Sequence, residues 1–119
     1  MGLFSNISVA VVAVLHLYFM VLEMFLWTKP MGRRVFRLTP EFAQASAALA
    51  ANQGLYNGFL AAGLLWGVLL GPDGFSIKIF FLACVIVAGL FGAFMVSRKI
   101  LWVQALPGGL ALVSVLIVR

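Results

Sequence analysis

Two short patterns carry most of the chemistry available to this sequence. His16, Met20, Glu23 and Trp27 are spaced four, three and four apart, so a helix of about 3.6 residues per turn sets them on one stripe. The run Asn52-Gln53-Gly54-Leu55-Tyr56-Asn57-Gly58 places three side-chain amides, a phenol and two glycines in a single segment. At helical spacing Asn52 and Tyr56 share a face, with Gln53 beside them and Asn57 turned further round. Gln104, in the last apolar segment, is a further polar candidate. An imidazole and a carboxylate can serve as an acid/base pair while amides orient a ligand. A carboxylate inside an apolar helix can instead exchange a proton for a cation, as intramembrane acids do.

Other chemistries are excluded by what is missing or badly spaced. His16 and Glu23 lie seven residues apart, about 10 Å along a helix axis, whereas chelation from one helix favours pairs four apart; no metal site is expected. Met20 and Met24 read as packing, because no second methionine pair or cysteine cluster supplies the soft ligands copper needs. Cys84 is the one cysteine, so the chain forms no internal disulfide and no four-cysteine site. There is no hydrolase signature and no phosphate loop, and the residues identify no cofactor.

The elements that must hold these residues follow from composition. The chain has 119 residues, 65% of them hydrophobic and 9% charged, with a mean hydropathy of +1.18. A soluble core of this size could not hide so much apolar surface, whereas a bilayer accommodates it at about 20 apolar residues per helix. The expectation is an all-α integral membrane protein whose partner is the lipid bilayer: a single domain, residues 1–119, folded as a four-transmembrane-helix bundle. The net charge of +5 comes from cations at segment ends rather than along one face, which argues for membrane topology and against nucleic acid.

The four helices are expected at about residues 4–27, 41–70, 76–96 and 100–118. The first lacks a basic leader and a small-residue cleavage site, and its apolar run is too long for a signal peptide. Pro30 is expected to end it, and Thr39-Pro40-Glu41 has the N-cap, proline and first-turn acid of a helix start. Gly71-Pro72-Asp73-Gly74 reads as a turn, and Lys78 sits close enough to the end of helix 3 to snorkel. Pro107-Gly108-Gly109 falls within helix 4. A helix begun after the proline would be too short to cross, so helix 4 is expected to be kinked at Pro107.

Lys29, Arg33, Arg34, Arg37, Arg98 and Lys99 lie in the first and third connections, against Lys78 and Arg119 on the other side. The positive-inside rule then puts those connections in the cytoplasm and both termini on the outer face. If helices 1 and 2 form an antiparallel hairpin, Asn57 falls at the depth of His16, with Asn52 and Gln53 toward Glu23. An ionisable group in hydrocarbon costs about 2.5 to 3.5 kcal/mol on insertion scales, so Glu23 must face a partner or carry a proton. Hydrogen bonds between helices in a membrane contribute only about 0.6 kcal/mol on average. Packing alone would therefore need one or two such residues, fewer than are present. The Gly54-x-x-x-Gly58, Gly63-x-x-x-Gly67-x-x-x-Gly71, Ala88-x-x-x-Gly92 and Gly89-x-x-x-Ala93 spacings permit close backbone contact within the bundle or between copies in a homo-oligomer.

His16, Glu23 and Trp27, then Pro30-x-Gly32 with Phe36, then Ala50-Ala51-Asn52-Gln53-Gly54-Leu55-Tyr56-Asn57-Gly58-Phe59-Leu60-Ala61, and Val103-Gln104 with Pro107, together resemble a family of small bacterial membrane proteins catalogued as domain of unknown function family 1304. The likeness covers almost the whole chain. It implies a multi-pass, four-helix protein of the bacterial inner membrane and lends no activity, but it supports taking His16, Glu23, Asn52, Gln53, Tyr56, Asn57 and Gln104 as one set. Three functions fit that set. The first is a proton-coupled transporter or permeation module for a small polar or cationic solute, with Glu23 as the exchanging acid. The second is a membrane-embedded enzyme or binding protein for a lipid-soluble small molecule, using His16 and Glu23. The third is a purely structural or assembly role.

Overall fold

A computed structural model describes residues 2–118, and every element among them is helical. Five α-helices follow in order: α1 (Gly2–Met24), α2 (Pro30–Phe36), α3 (Pro40–Leu69), α4 (Phe75–Met95) and α5 (Leu106–Val118). A 3₁₀ turn (Gly71–Gly74) precedes α4 and a π turn (Leu101–Ala105) precedes α5.

Local chemistry explains the boundaries. At the start of α3 the Thr39 hydroxyl accepts the Phe42 amide at 3.1 Å and the Thr39 carbonyl accepts that of Ala43 at 3.0 Å. These bonds satisfy donors that a helix N-terminus otherwise leaves free. The first helix stops sooner than the expected residue 27. Past Met24 the Leu26 amide is shared between the carbonyls of Val21 at 3.2 Å and Leu22 at 3.3 Å, and the chain turns. Pro30 does not terminate α1. It occupies the first position of α2, where its missing N–H would have had no intrahelical acceptor anyway. The basic stretch, expected only as a connection between helices, thus contains a short helix. Gly32 explains how α2 fits: a Cβ there would collide with the Leu26 carbonyl, and the glycine is buried.

Among the described residues, three helical segments are long and apolar enough to cross a membrane: Gly2–Met24, Gly71–Met95 and Leu101–Val118. The expected fourth, α3, has 30 residues and a length of about 45 Å. It falls short in apolarity because Gln44, Ser46, Asn52, Gln53 and Asn57 punctuate it.

The break expected at Pro107 also lies elsewhere. Pro107-Gly108-Gly109 is inside α5, and the irregularity comes one turn earlier, where the Leu106 amide reaches back five residues to the Leu101 carbonyl. A proline ring clashes with the carbonyl four residues before it and offers no N–H. Widening the preceding turn moves that carbonyl away, so the helix continues through the proline.

Contacts cluster in two compact units, Leu15–Phe59 and the described residues up to Val14 together with those from Leu60 onward. In the first unit, α1 and α3 come close at two glycines. A Cβ at Gly54 would lie 2.7 Å from Met24 Cγ, 3.0 Å from Glu23 Cβ and 3.2 Å from the Met20 carbonyl, while one at Gly58 would meet only the Met20 side chain, its sulfur at 2.8 Å. In the second unit, α4 packs on α5 and the π turn. Its Gly89 would put a Cβ 2.7 Å from the Ala105 amide nitrogen, and a Cβ at Gly108 would lie 2.9 Å from Val85. Leu64, Leu82 and Val85 are completely buried in this unit.

These contacts separate the two glycines of α3. Gly54→Ala must displace a Cβ and a backbone carbonyl, which costs about 1 to 3 kcal/mol as overpacking does. Gly58→Ala displaces the end of a flexible methionine, and the gain in helix propensity, about 1 kcal/mol, offsets it. Unfolding of the two variants in detergent should show Gly54→Ala clearly less stable and Gly58→Ala within about 1 kcal/mol of the parent.

Candidate functional site

The buried face of α1 recurs every seven residues at Val9, His16 and Glu23, with Ser5 and Val12 completing it. On α3 the buried positions include Ala43, Ala50, Asn57 and Leu64, again seven apart, with Gly54 and Ala61 between. Glu23 and Asn57 are the polar residues on these faces within the unit Leu15–Phe59 that bond to each other. The Asn57 amide donates to one Glu23 carboxylate oxygen at 2.5 Å, and the Gln53 amide donates to the other at 3.4 Å. Gln53 and Asn57 are one turn apart on α3, so a single helix presents a donor to each oxygen. Gly54 lies between them, its hydrogen against Glu23 Cβ. A side chain there would push the carboxylate away from its donors.

Glu23 belongs to the last turn of α1, where the carbonyl end of the helix carries partial negative charge. The carboxylate is therefore held at a buried and electrostatically adverse place by two neutral donors. Among the described residues it makes no ion pair, and no three His, Cys, Asp or Glu side chains come together as a metal site would require.

The other predicted residues divide differently. His16 is fully buried, with its ring edge-on to Phe19 at a centroid distance of 5.5 Å; seven residues of continuous α1, about 10 Å of rise, separate it from Glu23. Asn52 and Tyr56, expected on the site's face with Gln53, are exposed on α3, Tyr56 lying 6.1 Å from Phe59. Asn57, expected further round, is the residue that meets the acid. Gln104 lies in the π turn, in the other unit. Trp27 is off the α1 stripe altogether. Its indole donates to the Ser46 hydroxyl at 3.0 Å, which donates to the Phe42 carbonyl at 2.7 Å, and its ring packs on Phe36 at 4.9 Å. It thereby ties α2 to the first turns of α3. The sequence reading did not pair Trp27 with Ser46. The seven-residue spacing of Ala43, Ala50, Asn57 and Leu64 was the signal that would have singled out Asn57.

The two amide donors should contribute unequally. Asn57→Leu removes the short bond and leaves a buried carboxylate oxygen without a donor, a loss of about 1 to 3 kcal/mol. Gln53→Leu removes the longer, partly exposed one and should cost less than about 1 kcal/mol. Equilibrium unfolding in mixed detergent micelles, with Glu23→Gln as the second arm of a double-mutant cycle, measures both. Coupling to Glu23 should be found mainly at Asn57.

Comparison with known proteins places the chain in a family. A family profile described as protein of unknown function (DUF1304) matches residues 10–116. The uncharacterized protein YpaA of Lactococcus lactis subsp. lactis (strain IL1403) is 30% identical over 118 residues, spanning 98% of this chain and 97% of its own length. No solved structure matches the chain.

Proposed function

The chain belongs to the DUF1304 family, and on the geometry around Glu23 we propose that it is a four-span protein of the bacterial cytoplasmic membrane that exchanges a proton for a small polar or cationic solute at that carboxylate. In this reading α3 is the fourth span. Its length exceeds what a bilayer needs, and one of the amides that lower its apolarity, Asn57, is turned inward to Glu23. Both termini then face outward, because the α1–α3 and α4–π-turn connections hold six of the eight cations and the positive-inside rule keeps them in the cytoplasm.

One observation carries the proposal: both oxygens of a buried carboxylate are held by neutral amides, with no cation in contact among the described residues. Amide donors orient the group without cancelling its charge. What cancels it is an exchangeable proton or a monovalent cation, and polyvalent metals are disfavoured by the lack of further ligands. In the proposed orientation the last turn of α1, and Glu23 with it, lies toward the cytoplasmic end. A glutamine at this position could still bridge α1 and α3 through one carbonyl acceptor and its own amide donor, without the electrostatic cost, so packing alone does not account for an acid.

A second reading, in which the cluster is only a lock between α1 and α3, draws on the closeness of Gly54 to Glu23 Cβ. Liposomes separate the two. With a pH-sensitive dye inside and tetramethylammonium outside, the parent protein should couple cation entry to proton exit, and Glu23→Gln should lower the coupled rate at least tenfold while keeping its helicity and its melting behaviour. An unchanged rate in Glu23→Gln, or no protein-dependent rate in the parent, favours the lock.

A further inference from the structure

Lys78 is expected from sequence to snorkel into water, yet it is 8% exposed. Its ammonium meets the Asn6 side-chain carbonyl at 3.3 Å, and its stem fits because Gly67 has no side chain: a Cβ there would lie 2.6 Å from Lys78 Cγ. Asn6 is a neutral acceptor, so among the described residues one of three ammonium donors is used and no acid cancels the charge. Asp73, the nearest acid in sequence, is exposed and forms no ion pair with Lys78 among the described residues. Taking an uncompensated ammonium out of water is costly, and the first turn of α4 adds the positive end of a helix dipole at the same place.

The same side chain borders a half-open cavity of about 530 Å³, a volume in the range of small-molecule sites. Its wall is mixed. Ser5, Asn6 and Ser76 supply polar groups, Phe75 and Val115 an apolar side, and Asp73 part of the margin. All of it belongs to the unit that excludes Leu15–Phe59, so it is separate from the Glu23 cluster.

We propose that this cavity is a binding site for a singly charged phosphate group, with the Lys78 ammonium as its counter-charge and the Ser5 and Ser76 hydroxyls as donors to the phosphate oxygens. Lysine recognises phosphate as a compact point charge with free donors, and Lys78 has two to spare. The carboxylate of Asp73 at the margin disfavours a second negative charge, and Phe75 with Val115 gives the glycerol or acyl part of an ester an apolar surface. In the orientation proposed above, the site opens on the outer side of the membrane. The phosphate can come from a phosphodiester lipid headgroup or from a soluble phosphate.

The chain's three lysines, Lys29, Lys78 and Lys99, allow a test on the parent protein. In dodecyl maltoside, acylation of each lysine by acetic anhydride is followed by mass spectrometry with dimethyl phosphate, glycerophosphoglycerol or dihexanoylphosphatidylglycerol present, each of which carries a single negative charge. The proposal expects at least fivefold slower acylation of Lys78 with one or more of these, while Lys29 and Lys99 react unchanged. Protection by the lipid alone assigns the headgroup, and protection by the soluble phosphodiesters assigns a soluble ligand. Ligand-induced stabilisation should persist in Lys78→Arg and vanish in Lys78→Gln. Equal protection of all three lysines, protection by none of the probes, or undiminished binding by a folded Lys78→Gln overturns the site.

Discussion

A carboxylate in the final turn of an apolar helix is unfavourable twice, once for leaving water and once for sitting beside carbonyls that already carry negative charge. Everything in the unit Leu15–Phe59 reflects that constraint. Two amides spaced one turn apart on α3 approach the two oxygens of Glu23. For them to reach, the helices must come close, and Gly54 leaves out the side chain that would hold them apart, while Gly58 gives room to the Met20 side chain. In a bilayer no hydrophobic force draws helices together, so van der Waals closeness and a few polar bonds do that work. The acid and the glycines are therefore one device.

The ends of the helices are arranged to keep it in place. Trp27 leaves α1 just past Glu23 and bonds to Ser46 on α3 while stacking on Phe36 of α2. Pro30 and Gly32 let α2 fold back against the Leu26 carbonyl. These contacts fix where α1 ends, and with it the depth and direction of the Glu23 side chain. The cations of the same segment, Lys29, Arg33, Arg34 and Arg37, lie on the cytoplasmic side in the proposed orientation, as the positive-inside rule asks.

Much of this is legible in the sequence. Composition sufficed for an all-helical, strongly apolar chain, and Thr39-Pro40-Glu41 marked the start of α3 because capping is local chemistry. The polar set was visible because amides and acids in apolar segments are costly and thus conspicuous. Which of them meet was less legible. Adjacent amides on a helix differ by about 100° in direction; spacing led to the expectation that Asn52 and Tyr56 share the site's face, whereas Gln53 and Asn57, equally four apart, are the pair that reaches Glu23. Only the register of buried alanines and glycines decides between them. The turn of helix ahead of Pro107 was misplaced for a related reason: proline's clash is with the preceding turn, so the backbone adjusts before the residue that causes it. Lys78 was read from its distance to a helix end, which says nothing of whether Asn6 and Gly67 make a place for it inside.

The account rests on Glu23 being an exchanging acid rather than a sealed strut. A lipid-soluble carbodiimide distinguishes the two, since the chain has only three carboxylate side chains, Glu23, Glu41 and Asp73, and mass spectrometry assigns an adduct to one of them. An exchanging Glu23 is labelled from within the membrane, at a rate that falls as the pH is raised and that added tetramethylammonium slows. Absence of an adduct at Glu23 over the whole pH range, or a rate indifferent to both proton and cation, would contradict the account.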